Sequence, residues 1–120
     1  MKTNYIAGII AIGIIVIFAA FALNKQNVAP GQYDEFAKCL TSKGAVMYGT
    51  EWCSHCKNQK ALFGNSFQYV TFTDCDAKKQ ACLDAGVTGY PTWVINGENY
   101  PGEKTLEDLS VLSKCELAQQ

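Results

Sequence analysis

Apolar residues are distributed in two different ways along this chain. Residues 5–23 form one unbroken apolar run of about 19 residues without a charged side chain, whereas after residue 32 apolar and polar residues alternate in short segments. A helix needs roughly 20 apolar residues to cross a bilayer. The pattern therefore predicts a membrane anchor at 1–23, a short polar linker at 24–32 and a folded domain at 33–120.

The apolar run has two interpretations, a permanent anchor and a cleaved signal peptide. The run is longer than the usual 7–15 apolar residues of a signal peptide, and it continues through Ala20–Phe21–Ala22 without a polar break. Those small residues resemble a cleavage site, so the signal peptide stays as the alternative. Lys2 and the terminal amine precede the run and Lys25 follows it, which favours a cytoplasmic N-terminus and an extracytoplasmic domain.

The spacing of apolar residues in the domain predicts four helices and four strands. In chain order these are a helix from Tyr33 to Gly44, a strand at 45–50, a helix at 54–63 that could extend to 67, a strand at 69–73, a helix at 77–85, strands at 92–95 and 98–100, and a helix after Thr105. Asn96–Gly97 is a strong hairpin signal. This order predicts an α/β, thioredoxin-like layout, a central mixed sheet with helices on both faces.

The composition argues against nucleic-acid binding and indicates the kind of compartment in which the protein works. The net charge is −1 and every basic residue is lysine, so no basic stripe exists and nucleic acid is not an expected partner. Six cysteines in a chain this short indicate an oxidising compartment. A domain of about 90 residues has a limited core, and domains of that size often gain stability from disulfides.

Two of the cysteines belong to the motif Trp52–Cys53–Ser54–His55–Cys56, where a predicted strand ends and a helix begins. The unpaired N–H groups and the positive end of the helix dipole stabilise a thiolate at Cys53. The thiolate is the attacking form in disulfide exchange, and Cys56, one turn on, can resolve a mixed disulfide. The motif predicts a redox-active Cys53–Cys56 pair that needs no other cofactor.

A zinc site and a purely structural disulfide are the alternatives for this motif. Zinc needs about four ligands, and only His55 and scattered cysteines are available, so no metal is expected. His55 is the sole histidine and can donate to, or share charge with, the Cys53 thiolate. Stabilising the reduced form in this way would make the disulfide a stronger oxidant.

The motifs together resemble the thioredoxin superfamily, through EWCSHCK at 51–57, GYPTWVING at 89–97 and the amphipathic terminal helix. The likeness is greatest to the thioredoxin-like domain fused to, or paired with, bacterial vitamin K epoxide reductase homologues. It rests on FAKCL at 36–40, MYGTEWCSHCKNQKALFG at 47–64 and GYPTWVINGENYPG at 89–102. In those fusions a single membrane helix precedes the domain, as it does here.

The resemblance implies roles for individual residues. Cys53 is the exposed nucleophile, Cys56 the resolving thiol and Pro91 a cis-proline. A cis bond would place the Tyr90 backbone beside the two cysteines, open for strand-like pairing with a substrate segment. Together with Trp52, Tyr90 and Pro91 are the expected substrate-binding residues.

The chain also departs from the family pattern at two positions. Ser54 stands where many members have proline before the histidine, and Met47 stands where thioredoxins and disulfide isomerases place a buried acid. The proton acceptor that would activate Cys56 therefore stays open between Glu51 and a water.

The other four cysteines allow three pairings. Cys75 and Cys82 are seven residues apart, between a strand end and a helix turn, and are expected to pair. Cys39, in the first helix of the domain, and Cys115, after the last, would then staple the two ends of the domain and close a long loop. Free buried thiols are the alternative.

The leading hypothesis is a membrane-anchored thiol–disulfide oxidoreductase that exchanges disulfides with proteins in the periplasm or at the cell exterior. Because the chain lacks the four-helix quinone-binding part of the fusions, it is expected to pass electrons to a separate vitamin K epoxide reductase homologue in the membrane. A membrane-tethered reductant, of the kind that serves cytochrome c maturation, and a non-catalytic binding module are the alternatives. His55 favours the oxidising direction.

Overall fold

Five α-helices and four β-strands form in the residues that this computed structural model describes, 2–23 and 29–118. The helices are α1 Lys2–Leu23, α2 Asp34–Ser42, α3 Ser54–Phe63, α4 Lys79–Asp84 and α5 Leu106–Ser113; the strands are β1 Val46–Gly49, β2 Thr71–Asp74, β3 Thr92–Ile95 and β4 Glu98–Pro101. Most of the expected linker, residues 24–28, lies outside the described residues.

The four strands form one mixed sheet in the order β2-β1-β3-β4. β1 runs parallel to β2, with Val46 opposite Thr71, and the helix α3 makes the crossover between them. β3 is antiparallel to both β1 and β4. This confirms the predicted thioredoxin-like α/β fold, and it places the start of α3 directly after the central strand β1.

The core is built mainly from aromatic and aliphatic side chains of β1, β3 and the helices packed on them. Phe63 of α3 stacks on Phe36 of α2 at 6.1 Å between ring centres and lies 6.1 Å from Trp93 of β3. Met47 and Ile95 are fully buried beside them. Aromatic pairs of this kind bury large apolar areas, so α3 is held against the sheet along its inner face.

The hairpin between β3 and β4 forms at Asn96–Gly97, as the sequence predicts. Both residues have positive φ, 53° and 79°, the combination that a type I′ turn requires. Thr105 caps α5, and Asp108 completes a reciprocal capping box. The turn and the cap thus set where β4 and α5 begin.

Several element boundaries differ from the sequence prediction by one or more residues, whereas α3 has the predicted bounds. Gly64 has a φ of 54° and ends α3 at Phe63 as predicted, and a 3-10 helix at Gly64–Tyr69 follows in place of the possible extension to 67. β2 begins at Thr71 because that 3-10 helix takes up Tyr69. The helix α4 is shorter than 77–85, since residues 75–77 form a turn in which the Asp76 amide bonds to the side chain of Asp74.

Two disulfides join elements that are distant in sequence or close to a turn. Cys39 of α2 is bonded to Cys115, which follows α5. Cys75, in the turn after β2, is bonded to Cys82 of α4. These are the pairings that the cysteine spacing favours, and they leave Cys53 and Cys56 as the free cysteines of the described residues.

The helix α1 has the length and composition of a membrane span. Its apolar window Thr3–Ala20 has a mean hydropathy of 2.2, and none of that window is buried inside the structure. An N-terminal signal sequence has the same properties. α1 is thus a candidate membrane span.

Candidate active site

Cys53 is the N-cap residue of α3. Its backbone is extended, with φ −71° and ψ 119°, and its sulfur accepts a hydrogen bond of 3.2 Å from the backbone N–H of Cys56. An N-cap acceptor satisfies one of the free N–H groups at a helix start. The Cys53 sulfur therefore lies at the positive end of α3, where a thiolate is stabilised.

Cys56 is fully buried one turn further along α3. Its sulfur packs on β1 so closely that a Cβ on Gly49 would lie 2.7 Å from it, so only glycine fits at that position. Burial, and next the hydrogen bond with Cys53, raise the pKa of the Cys56 thiol to about 11. A hydrogen bond from the Thr50 backbone and the charge of Lys60 act in the opposite direction.

Lys60 is a residue near the resolving thiol that the sequence analysis did not single out. Its ammonium pairs with Glu51 at 3.2 Å and its side chain is only 22% exposed. Its spacing of four residues from Cys56 on one helix was the available signal. Met47, where the resemblance expects an acid, is fully buried, and Lys60 is the member of the Glu51–Lys60 pair whose charge acts on the Cys56 thiol.

His55 contacts Glu103, a residue that sequence reasoning also missed. Its Nδ1 lies 2.7 Å from Oε1 of Glu103, and the amide of Asn58 donates to the same oxygen at 3.2 Å. Within 2–23 and 29–118, His55 makes no hydrogen bond to Cys53, the contact that the motif suggested. Glu103 lies 48 residues away in sequence, and no spacing rule connects it to His55.

Two exposed aromatic residues flank the cysteine pair. Trp52 is 67% exposed and Tyr90 38%, and their rings meet edge to face at 6.3 Å. The indole N–H of Trp52 donates to Asp76 at 2.7 Å, which fixes the ring. The Tyr90–Pro91 peptide bond is cis and Pro91 is buried. The three expected substrate-binding residues are thus assembled from the segments before α3 and before β3.

This geometry suits thiol–disulfide exchange. The Cys53 sulfur lies at a helix N-terminus and accepts from the Cys56 N–H. Cys53 is only 7% exposed, so the expectation of an exposed nucleophile was wrong: the N-cap position packs it at the edge of the core, and Cys56 is fully buried one turn further on. Attack by or on the first sulfur and resolution by the second are the two steps that such exchange needs.

Comparisons with known proteins agree with this chemistry. A family model described as Thioredoxin matches residues 25–114. The thiol-disulfide oxidoreductase LTO1 of Arabidopsis thaliana is 40% identical over 92 residues, 69% of this chain and 24% of that protein. Protein disulfide isomerase-like 2-1 of Oryza sativa subsp. japonica is 33% identical over 87 residues, 61% of this chain and 24% of that protein.

The chain therefore spans about a quarter of the length of these two relatives. Protein disulfide-isomerase 5-1 of Arabidopsis thaliana is 27% identical over 112 residues, which are 80% of this chain and 77% of that protein. Among solved structures, a thioredoxin of Fasciola hepatica aligns with a TM-score of 0.44 and 22% identity, covering 68% of this chain and 91% of that one.

Proposed function

The chain belongs to the thioredoxin family, and on that premise we propose that it is a protein thiol–disulfide oxidoreductase with Cys53 and Cys56 as its reacting pair. The observation that carries the proposal is the position of the Cys53 sulfur, at the N-cap of α3 and 3.2 Å from the N–H of Cys56. The names of the related proteins, an oxidoreductase and disulfide isomerases, agree with it.

In the oxidising direction, a substrate thiolate attacks the Cys53 sulfur of the Cys53–Cys56 disulfide. The bond between the two cysteines breaks, a mixed disulfide forms with Cys53, and Cys56 leaves as a thiolate that takes up a proton. The second thiolate of the substrate then attacks the substrate sulfur of the mixed disulfide and releases Cys53. Two electrons pass from the substrate to the pair, and the substrate gains a disulfide.

The pair must then be reoxidised, and we propose a membrane-bound vitamin K epoxide reductase homologue as the acceptor. Its disulfide would take the two electrons by the same exchange in reverse, and both motif thiols would return to the disulfide. The proposal is supported by the likeness of residues 47–64 and 89–102 to the domains that accompany such reductases. The histidine in the motif supports the oxidising direction.

We propose that α1 anchors the chain and that the domain faces the periplasm or the cell exterior. The apolar window Thr3–Ala20 supports the anchor. The disulfides Cys39–Cys115 and Cys75–Cys82 support an oxidising compartment, because such bonds are rare in proteins of the reducing cytoplasm.

Trapping of mixed disulfides tests the proposed function. Cys56→Ala cannot resolve the intermediate, so it is expected to accumulate covalent adducts with other proteins through Cys53, whereas Cys53→Ala accumulates none. Non-reducing gels and mass spectrometry identify the adducts, and a vitamin K epoxide reductase homologue among them supports the proposed partner. Equal trapping by both variants contradicts the assigned roles, and trapping by neither indicates a non-catalytic binding module.

The reduction potential tests the direction of exchange. A stabilised Cys53 thiolate predicts a potential well above the thioredoxin value of about −270 mV. Equilibration of the full chain with glutathione measures it. A potential near or below that value would assign the chain to the reductive direction instead.

A further inference from the structure

The segment between β4 and α5 brings a carboxylate to the histidine of the active-site motif. Glu103 accepts a hydrogen bond of 2.7 Å from Nδ1 of His55, and a second of 3.2 Å from the amide of Asn58. An ionised carboxylate can only accept hydrogen bonds, so this contact requires a proton on Nδ1. The His55 side chain is 72% exposed and that of Glu103 35%.

A buried amide holds this segment against α3, so the contact does not depend on two free surface side chains. Gln59 is fully buried. Its Nε2 donates to the Lys104 carbonyl at 2.9 Å, and its Oε1 accepts from the Lys104 amide at 2.7 Å and from the indole of Trp93 at 3.1 Å. These bonds hold the backbone of Lys104, next to Glu103, against Gln59, which lies one turn after His55 on α3.

We propose that Glu103 is a positioning residue that sets the orientation and tautomer of His55 for proton exchange with the thiol of Cys53. This inference rests on the proposed function. With Nδ1–H held by the carboxylate, the other ring nitrogen, Nε2, carries the lone pair and can accept a proton. When the Cys53 thiolate forms, the sulfur releases its proton to Nε2 through a water, because His55 and Cys53 share no direct hydrogen bond in the described residues. The carboxylate then stabilises the positive charge that appears on the ring. A base oriented by a third group is a recurring arrangement for activating a nucleophile.

Other charged groups near this site are engaged elsewhere in the part of the chain that the structure describes. The ammonium of Lys104 donates to the carbonyl of Pro101 at 2.6 Å, and Lys60 is paired with Glu51. Asp108 is used in the capping box of α5. Lys57, on α3, is exposed. Glu103 is thus the carboxylate that contacts His55 directly.

A double-mutant cycle on the full chain in detergent tests the proposal. The variants are Glu103→Ala, His55→Ala and the two combined, with Glu107→Ala as the matched control because Glu107 is an exposed acid in the first turn of α5. The first readout is the equilibrium constant for oxidation of glutathione by the Cys53–Cys56 disulfide. The second is the rate at which iodoacetamide alkylates Cys53, measured against pH.

We expect Glu103→Ala to lower the equilibrium constant about tenfold, which corresponds to about 30 mV for this two-electron couple, and to shift the alkylation profile to higher pH. His55→Ala is expected to change the equilibrium constant and the alkylation profile in the same directions. The double variant is expected to match His55→Ala alone. Glu107→Ala should match the wild type. Unchanged values for Glu103→Ala, or an effect of the same size without His55, would overturn the proposal.

Nitrogen NMR of the imidazole tests the tautomer without any reaction. The chain has one histidine, so its two ring nitrogens give unambiguous signals. The neutral ring of the wild type is expected to carry its proton on Nδ1, and Glu103→Ala is expected to abolish that preference. A proton on Nε2 in the wild type contradicts the proposal. Neither this measurement nor alkylation needs a protein substrate, so a failure of the proposed function, seen as an absence of trapped adducts, is distinguishable from a failure of this inference.

Discussion

The ammonium of Lys60 lies 3.9 Å from the centre of the Phe72 ring. The edge of that ring and the sulfur of Cys56 are close neighbours, since both lie within 3.3 Å of the position that a Cβ on Gly49 would occupy. A cation on an aromatic face is stabilised more strongly when it is partly desolvated. The ring therefore holds a positive charge on the inner side of α3, close to the resolving thiol.

Replacing Lys60 with methionine is expected to raise the pKa of Cys56 further. Burial already raises that pKa to about 11, and the charge of Lys60 acts against burial. Each further pKa unit lowers the thiolate fraction at neutral pH about tenfold, so resolution of a mixed disulfide should slow. Absorbance of the thiolate at 240 nm against pH, in a Cys53→Ala background, measures the shift.

Lys57→Met is the matched control for this measurement, because Lys57 is an exposed lysine on the same helix. It should leave the Cys56 titration unchanged. A Lys60→Met titration that coincides with the Lys57→Met titration would show that the ammonium does not act on Cys56.

The stability of the dithiol form is expected to fall as the pH rises from about 9 to about 11. The folded pKa of Cys56 is raised above the ordinary value of 9.0, so over this range the folded state binds more protons than the unfolded state, and stability decreases with pH. The shift of about two pKa units corresponds to about 3 kcal/mol. Urea unfolding at several pH values measures it.

The disulfide form provides the comparison for that experiment, because its Cys56 has no proton to lose. Its free energy of unfolding should decline less over the same pH range, since ionisation of lysine and tyrosine is common to both forms. Parallel curves for the two forms would contradict the assignment of the raised pKa to Cys56.

The sequence could predict the fold because its strongest signals are local. The Asn96–Gly97 turn, the Thr105 cap and the glycine after α3 each act within a few residues. Boundaries were wrong where the local signal was weak: Tyr69 was assigned to the strand β2, but it belongs to the 3-10 helix Gly64–Tyr69. The propensity of one residue does not distinguish these outcomes.

The sequence could predict only those active-site residues that lie next to one another in the chain. Cys53, His55 and Cys56 could be assigned because the motif adjoins a predicted strand and helix. The contact between His55 and Glu103 could not be, because it depends on how the segment after β4 packs against α3, 48 residues away. Gln59 is a similar case, since an amide on a helix gives no sign that it will be buried.

Replacing Gln59 with alanine is expected to destabilise the domain by about 3 kcal/mol. The substitution leaves the indole N–H of Trp93 and the amide of Lys104 without their acceptor, and each unsatisfied buried group costs about 1–3 kcal/mol. Urea unfolding measures the difference. Gln68→Ala, at an exposed amide of the 3-10 helix, should cost less than about 0.5 kcal/mol; equal losses would mean that the buried network contributes nothing specific.

The Cys39–Cys115 disulfide is expected to stabilise the domain more than the Cys75–Cys82 disulfide. It closes a loop of 76 residues against 7, and chain entropy then gives about 4 and about 2 kcal/mol. Double alanine variants of each pair, unfolded in urea, test the order.

Peptide mapping after mild reduction should find both bonds intact while Cys53–Cys56 opens. Earlier reduction of either bond would contradict a purely structural role.

The mature protein is expected to keep residues 1–23 and to stay in the membrane after alkaline carbonate extraction. The window Thr3–Ala20 exposes its apolar side chains in the structure, and a surface of that kind is stable only when lipid or protein covers it. Intact-mass analysis of protein from its own membrane decides between anchor and signal peptide, because cleavage after Ala22 would leave Leu23 as the first residue.

A charged residue in the middle of α1 tests whether the helix is inserted in the lipid or only adheres to the membrane surface. Lysine at the centre of a membrane helix costs about 2.5–3.5 kcal/mol on the insertion scale, so Ile12→Lys should release part of the chain into the carbonate supernatant, whereas Ile12→Leu should stay bound. Because Ile12 is exposed on α1, neither change alters the packing of the domain. Equal retention of Ile12→Lys and Ile12→Leu would show that contacts of the domain, and not α1, hold the chain to the membrane. The proposed disulfide exchange would then not depend on an anchor.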